Sequence, residues 1–133
     1  MKEPRWVLRE TVLALHEQLL AEFGGLHGIR DEGLFDSALA RPRQQFAYDK
    51  RDVVALAAAY AFGLVRNHPF IDGNKRIGFS VAVLFLELNG HEFTATEVDA
   101  VLQTLALAAG ELDEMGYAAW LRQNSRRPRR RRG

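Results

Sequence analysis

The sequence predicts an all-α fold, a single domain built as a bundle of about six helices. Apolar residues recur at helical spacing along most of the 133-residue chain, and no segment shows a convincing strand pattern. A chain of this length has one domain as its default, and a hydrophobic content of 47% is enough for a core of its own. The sequence has no cysteine, which excludes disulfides and zinc–thiolate sites.

The first two helices are predicted over residues 6–23 and 33–40. An apolar stripe marks the first of them, and a pair of glycines ends it. His16 lies within this helix with no second ligand-type residue one turn further on, so we interpret it as a packed or partly exposed histidine, not as a metal ligand. Asp31 is the predicted N-cap of the second helix, and Pro42 is its predicted end.

The next two helices form the predicted centre of the bundle. Asp52 is predicted to cap a helix over residues 53–66, and another helix follows from residue 74 or 75 to residue 88. The latter is apolar nearly all round, which is typical of a helix buried in the middle of a bundle. Thr94 and Glu97 form a predicted capping box for a helix that runs to about residue 109. The last helix is predicted over residues 113–123.

Charge divides the chain into two parts. The net charge is +1, but residues 125–133 hold six arginines and no acid, so subtracting six leaves −5 for residues 1–124. We therefore predict a helical domain over residues 1–124 and a disordered basic tail over residues 125–133. Contact with nucleic-acid phosphates is the functional interpretation of such a tail, and a solvated end is the interpretation that charge runs favour.

The sequence predicts a cytoplasmic protein without membrane contact. The first six residues contain no apolar region of the kind found in signal peptides. The longest apolar run, residues 77–88, is shorter than the roughly 20 residues that a spanning helix needs.

The segment between the two central helices concentrates the functional groups of the chain. It reads His68-Pro69-Phe70-Ile71-Asp72-Gly73-Asn74-Lys75-Arg76. Asp72 or Gly73 is placed to cap the following helix, whose first backbone N–H groups then have no partner within the helix. A helix start of this kind binds anions, and Lys75 and Arg76 add full charges to it.

This arrangement predicts a site for a phosphate chain. Asp72 is a candidate ligand for a Mg²⁺ ion that the phosphates share. His68, one short loop away, is a candidate general base for an incoming hydroxyl group. We assign Phe70 to the core, where it fixes the loop.

At these residues the chain resembles the Fic/Doc family, whose pattern is His-x-Phe-x-Asp/Glu-Gly/Ala-Asn-Gly/Lys-Arg. Residues 24–42 also look like its death-on-curing (Doc) branch, so the resemblance covers most of residues 10–90. Lys75 stands where adenylyl-transferring members usually carry Gly, and it looks like the Doc branch. Ser80 stands where those members have a second Arg. A flap or hairpin in residues 41–51 is implied, although these residues fit an ordinary connection equally well.

The resemblance implies an ATP- and Mg²⁺-dependent protein kinase, the toxin of a toxin–antitoxin pair. Its target would be a threonine of elongation factor Tu, and its restraint an antitoxin whose C-terminal segment folds on it. Catalysis would fall to His68, Asp72, Lys75 and Arg76, with Asp72 holding the metal. ATP would be bound by the following five residues: Gly73, Asn74, Lys75, Arg76 and Arg66.

Two other functions remain open at this stage. The same residues suit AMP transfer, which differs in the phosphorus atom presented to the hydroxyl group. A protein that has lost catalysis and acts through its tail on nucleic acid or ribosomes is the second alternative. The structural interpretation of individual residues also stands, since Asp72 suits a helix cap and Asn74 suits a loop brace.

Overall fold

The computed structural model describes residues 2–128 and confirms the all-α fold. Six helices and one small antiparallel sheet follow each other in the order α1 (Arg9–Phe23), α2 (Glu32–Asp49), α3 (Val53–Asn67), α4 (Asn74–Leu88), β1 (Glu92–Phe93), α5 (Glu97–Ala109), α6 (Glu114–Gln123) and β2 (Ser125–Arg126).

Helices α3 and α4 pack against each other at the centre of the bundle. α3 is the more completely buried of the two, because α2, α4 and α6 all pack against it. Gly78 of α4 permits the close approach, since a Cβ there would lie 2.6 Å from a methyl carbon of Val65. The loop between α3 and α4 is therefore held at both ends by the most rigid elements of the fold.

The predicted end of α2 at Pro42 is wrong, and so is the hairpin flap in residues 41–51. The helix continues through the proline to Asp49. An interior proline costs about 3 kcal/mol because its N–H is missing and its ring crowds the preceding turn. The second half of α2 offsets this by burying Phe46 against Trp6, with ring centroids 5.9 Å apart, and by binding Glu114 of α6 through Gln45.

Several other boundaries differ from the predicted ones by a few residues. α1 begins at Arg9 rather than near residue 6. Thr96, not Thr94, caps α5 and accepts a hydrogen bond from the N–H of Asp99. Thr94 instead donates its hydroxyl to the carbonyl oxygen of Asn124, across the small sheet. The predicted caps of α2 and α3 are confirmed, since Asp31 and Asp52 each accept the N–H of the third residue of the helix. Asp113, predicted as the first residue of the last helix, is in fact its cap and bonds the N–H of Gly116.

The small sheet joins the chain's last described segment to the bundle. Phe93 pairs with Ser125 and Glu92 with Arg126, so two residues of the predicted tail belong to the folded domain. Arg127 and Pro128 follow the sheet, and the rest of the predicted tail, residues 129–133, lies outside the described residues. Within residues 2–128, none of the helices is long and apolar enough to cross a membrane.

Candidate active site

The candidate site begins where α3 ends, at His68. This residue is the C-cap of α3 and has left-handed backbone angles, φ 52° and ψ 54°. Such a conformation costs a residue with a side chain roughly 1–2 kcal/mol. Its backbone turns the chain sharply out of the helix, and its side chain is exposed. The imidazole is therefore accessible from solvent.

Arg30 holds this turn from outside the motif. Its Nε donates to the carbonyl oxygen of His68 at 2.8 Å, and its terminal nitrogen donates to that of Asn67 at 3.0 Å. The last carbonyl groups of a helix lack N–H partners within the helix, and the guanidinium donates hydrogen bonds to two of them here. Arg30 thus braces the end of α3, while its neighbour Asp31 caps α2 as predicted.

A short backbone ladder fastens the motif loop to the loop after α1. The N–H of Arg30 donates to the carbonyl oxygen of Pro69, and the N–H of Ile71 donates to that of Gly28 at 3.1 Å. Between these bonds Phe70 points into the core, fully buried against Phe35, with ring centroids 5.1 Å apart. Phe70 therefore has the structural role predicted for it.

Asn74 braces the loop from inside. Its Oδ1 accepts from the N–H of Phe70 at 2.9 Å, and its Nδ2 donates to the carbonyl oxygen of the same residue at 3.0 Å. The side chain is buried, with 3% of the residue exposed. Both polar atoms of its carboxamide are thus bonded within the protein, and the backbone N–H of Asn74 has no acceptor within the helix.

Asp72 is held through both its backbone and its side chain. Its carbonyl oxygen accepts a hydrogen bond from Nε2 of His16 at 2.8 Å, so this nitrogen carries the proton. One carboxylate oxygen, Oδ2, accepts from the N–H of Leu26 at 3.1 Å. Asp72 therefore does not cap α4. Its second carboxylate oxygen has no hydrogen-bond partner among residues 2–128, and the residue is exposed.

His16 is the positioning residue that sequence reasoning missed. It is 2% exposed and stacks on Phe70 with ring centroids 3.7 Å apart, while it bonds the backbone of Asp72. It was correctly interpreted as a packed histidine. Its link to the loop could not be read from the sequence, because 56 positions separate it from Asp72.

The start of α4 is open. Gly73 is the N-cap at φ 78° and contributes no side-chain cap, and the first helical bond runs from the N–H of Ile77 to its carbonyl oxygen at 3.0 Å. The three N–H groups before Ile77 therefore lack helical acceptors. No acidic residue stands in the first turn, and Lys75 and Arg76 are exposed there. Arg76 lies over the ring of Phe23 at 4.3 Å.

Arg66 lies apart from this cluster. Its guanidinium is 5.6 Å from the ring centre of Phe62 and stands beside Gly110, at the end of α5. Within the described part of the chain it forms no hydrogen bond or ion pair with the motif loop. The structure thus brings together the other predicted residues, which share one loop, and directs Arg66 towards α5.

The residues present fit a phosphate chain with one shared cation. Residues 2–128 contain no group of three or more His, Cys, Asp or Glu side chains that could hold a metal by themselves. Mg²⁺ typically takes one or two protein carboxylates and completes its shell with phosphate oxygens and water. Asp72, with one carboxylate oxygen free, suits that mode of binding.

The fold and this loop define a class of protein. The chain belongs to the Fic/DOC family, whose sequence profile matches residues 6–86, more than half of its length. It is 32% identical to a protein named "Protein kinase doc" from Escherichia phage P1, over 90% of this chain and 94% of that protein. It is also 43% identical to "Toxin Doc" of Mycolicibacterium smegmatis, over 73% of this chain and 83% of that protein. Its resemblance to the Doc branch is thereby confirmed.

Proposed function

We propose that this chain is a Doc-like toxin that transfers the γ-phosphoryl group of ATP to a threonine of elongation factor Tu and so blocks translation. The proposal rests on the start of α4. Three N–H groups there have no acceptor within the helix, and two exposed cations stand beside them, in the segment that follows His68. One of the two relatives is named a protein kinase and the other a toxin, and these names support the kinase and toxin assignments.

In the proposed reaction His68 takes the proton from the threonine hydroxyl. The hydroxyl oxygen forms a bond to the γ-phosphorus, and the bond between that phosphorus and the bridging oxygen of ADP breaks. General-base catalysis of this kind is worth roughly 10²–10⁴ in rate. The left-handed turn at His68 is held by Arg30, and the exposed imidazole supports its proposed role as the base.

The remaining residues bind and polarise the phosphates. The N–H groups of Asn74, Lys75 and Arg76 face outward at the positive end of the α4 dipole. The charge of Arg76 stabilises negative charge that develops on the transferred group. Asp72 would hold Mg²⁺, which supplies neutralisation of the phosphate charge when it is bound. Arg66 is retained as a candidate ATP contact, although in this structure it lies beside Gly110.

Lys75 is proposed to select the phosphorus atom. A glycine at this position would leave a backbone concavity open to a phosphate group. The lysine side chain fills it, so that ATP binds in the orientation that presents its γ-phosphorus to the hydroxyl group. AMP transfer would require the α-phosphorus instead.

Labelled ATP separates the two reactions. The purified protein is incubated with Mg²⁺, elongation factor Tu and ATP labelled at either the α- or the γ-phosphorus. The proposal requires threonine-bound label from γ-labelled ATP and none from α-labelled ATP. The reverse pattern would establish AMP transfer, and no transfer to any protein of a lysate would favour a binding protein without catalysis.

A lysine variant tests the selection itself. Lys75→Gly should weaken γ-transfer and uncover α-transfer. Lys50→Gly is the matched control, because Lys50 is an exposed lysine at the end of α2 whose left-handed backbone accepts glycine without strain. Unchanged γ-transfer by Lys75→Gly would refute the steric argument while leaving the kinase assignment in place.

We also propose that the protein acts in the cytoplasm and is restrained by a cognate antitoxin whose C-terminal segment folds on it. One relative is named "Toxin Doc", and a toxic function supports the proposal of a partner that restrains it. Expression alone should arrest bacterial growth, and co-expression of the neighbouring small open reading frame should restore it. Harmless expression of the folded protein would count against the assignment.

A further inference from the structure

A second charged site lies at the opposite ends of the two central helices. A groove of about 700 Å³ is formed by residues 2–5, the start of α3, the end of α4 and residues 125–127. α4 has 15 residues, so the groove and the motif loop are separated by roughly 20 Å along its axis. The groove is therefore distinct from the candidate active site.

Cations outnumber carboxylates in this groove. Five cationic side chains line it, against the two carboxylates of Glu3 and Asp52; the cations belong to Lys2, Arg5, Arg122, Arg126 and Arg127. Asp52 is already paired with Arg122 at 2.6 Å. The only acidic partner of Arg126 is Glu92, at 3.3 Å among the described residues.

Three cations of the groove have no acidic partner within residues 2–128. Lys2, Arg5 and Arg127 are exposed and form no ion pair there. The backbone of Arg5 is fixed by Asn89, whose Oδ1 accepts its N–H at 2.8 Å and whose Nδ2 donates to its carbonyl oxygen at 3.0 Å. The guanidinium of Arg127 stands beside Gly90, at the end of α4. Arg5 is thus anchored through its backbone and the guanidinium of Arg127 lies near the end of α4, so unpaired positive charge lines the groove at this end.

We propose that this groove binds the phosphate backbone of duplex nucleic acid without sequence preference. No Phe, Tyr or Trp side chain lines it, so the large ring surfaces on which unpaired bases stack are missing, and the lining cations suit phosphates rather than base edges. The sequence itself is rich in arginine here, with six arginines in residues 125–133. A sequence run of this kind is typical of proteins that bind nucleic-acid phosphates, which favours a repeating phosphate chain over an acidic peptide as the occupant.

The test is a binding titration against salt. A fluorescent duplex of about 20 base pairs with random sequence is titrated with the full-length protein at several salt concentrations. Each phosphate contact contributes about −0.9 to the slope of log K against log salt. Arg5→Ala combined with Arg127→Ala should therefore reduce the slope by about 2 and weaken binding. Arg43→Ala combined with Lys50→Ala, which removes two exposed cations outside the groove, should leave it unchanged.

Two further measurements keep the proposal open to refutation. A full-length variant in which the four arginines 129–132 are serine should retain the part of the slope that the groove supplies. Binding that depends on those four arginines and not on Arg5 and Arg127 would overturn the proposal. Competition by polyglutamate as effective as that by unlabelled duplex would overturn it too, in favour of an acidic protein partner. Phosphoryl transfer should be unaffected by the groove variant, so this test is independent of the proposed function.

Discussion

His68 occupies a backbone conformation that favours glycine and asparagine over other residues. This conformation costs roughly 1–2 kcal/mol of strain, and the two hydrogen bonds from Arg30 to the end of α3 offset that cost. Strained residues persist where the surrounding structure holds them, and they cluster at functional sites. A glycine would adopt this turn without strain, so the presence of a histidine here indicates a role for its imidazole.

His68→Asn is the sharpest test of the general base. Asparagine tolerates the left-handed conformation but does not take up a proton near neutral pH. Transfer should fall about 10²–10⁴-fold, while the affinity for ATP and the melting temperature stay close to wild type. His68→Ala is the comparison variant, since it adds backbone strain. A fully active His68→Asn protein would remove His68 from the mechanism.

Asn74 supports a second prediction at the residue scale. Asn74→Ala leaves the buried N–H and carbonyl groups of Phe70 without partners, which costs about 1–3 kcal/mol for each group. The free energy of unfolding, measured in urea, should fall accordingly. Asn74→Asp keeps the acceptor for the N–H of Phe70 and loses the donor. An Asn74→Ala protein with wild-type stability and lost ATP binding would show that the carboxamide is a ligand, not a brace.

At the scale of elements, α5 differs from α3 and α4 in having one apolar face against the core and another in solvent. The exposed face carries four large apolar residues at helical spacing: Val98, Val101, Leu102 and Leu105. Leu107 lies on the opposite face, fully buried, whereas Leu105 is 46% exposed. Two leucines of one helix thus experience different environments.

The two leucines form a matched pair for a stability measurement. Leu107→Ala should lower the free energy of unfolding by about 2–5 kcal/mol, because it removes buried methyl groups and leaves a cavity. Leu105→Ala, the same substitution on the half-exposed face, should cost about 1 kcal/mol or less. Equal losses, measured by urea denaturation, would mean that the outer face of α5 is also covered in solution.

At the scale of the whole molecule, the two ends of the α3–α4 pair carry different charged sites. The motif loop joins them at one end, and the cationic groove lies at the other. His91 lines the groove, and its pKa lies below the usual value of 6.5. Burial is the largest cause, followed by the positive charge of Arg127; Asp52 acts in the opposite direction, and Arg122 lowers the pKa further.

This lowered pKa predicts a pH dependence of stability. Below pH 6.5 the unfolded chain takes up a proton at His91 more readily than the folded protein does. The free energy of unfolding should therefore fall as the pH drops through 6.5, and this contribution should level off below the folded-state pKa. His91→Gln should flatten the profile in that range. A profile that keeps its full slope in the variant would assign the effect to another group.

The sequence by itself determined the features whose signals lie within a turn or two of the chain. Asp31 and Asp52 could be predicted as caps of their helices, because a cap bonds an N–H group only a few positions away. The motif loop could be predicted because its functional groups are consecutive in the sequence. The fold class could be predicted from the spacing of the apolar residues. These features depend on residues that are close together in the chain, so the order of the residues is enough to predict them.

Only the tertiary structure decided what depends on residues distant in the chain. α2 continues through Pro42 because contacts of its second half with Trp6 and Glu114 outweigh the cost of the proline. His16 reaches Asp72 across 56 positions, and Arg5 reaches Asn89 across 84. No periodicity or motif records such pairs, because each contact exists only after the helices have packed. The bracing of the loop and the assembly of the groove are therefore properties of the packed bundle.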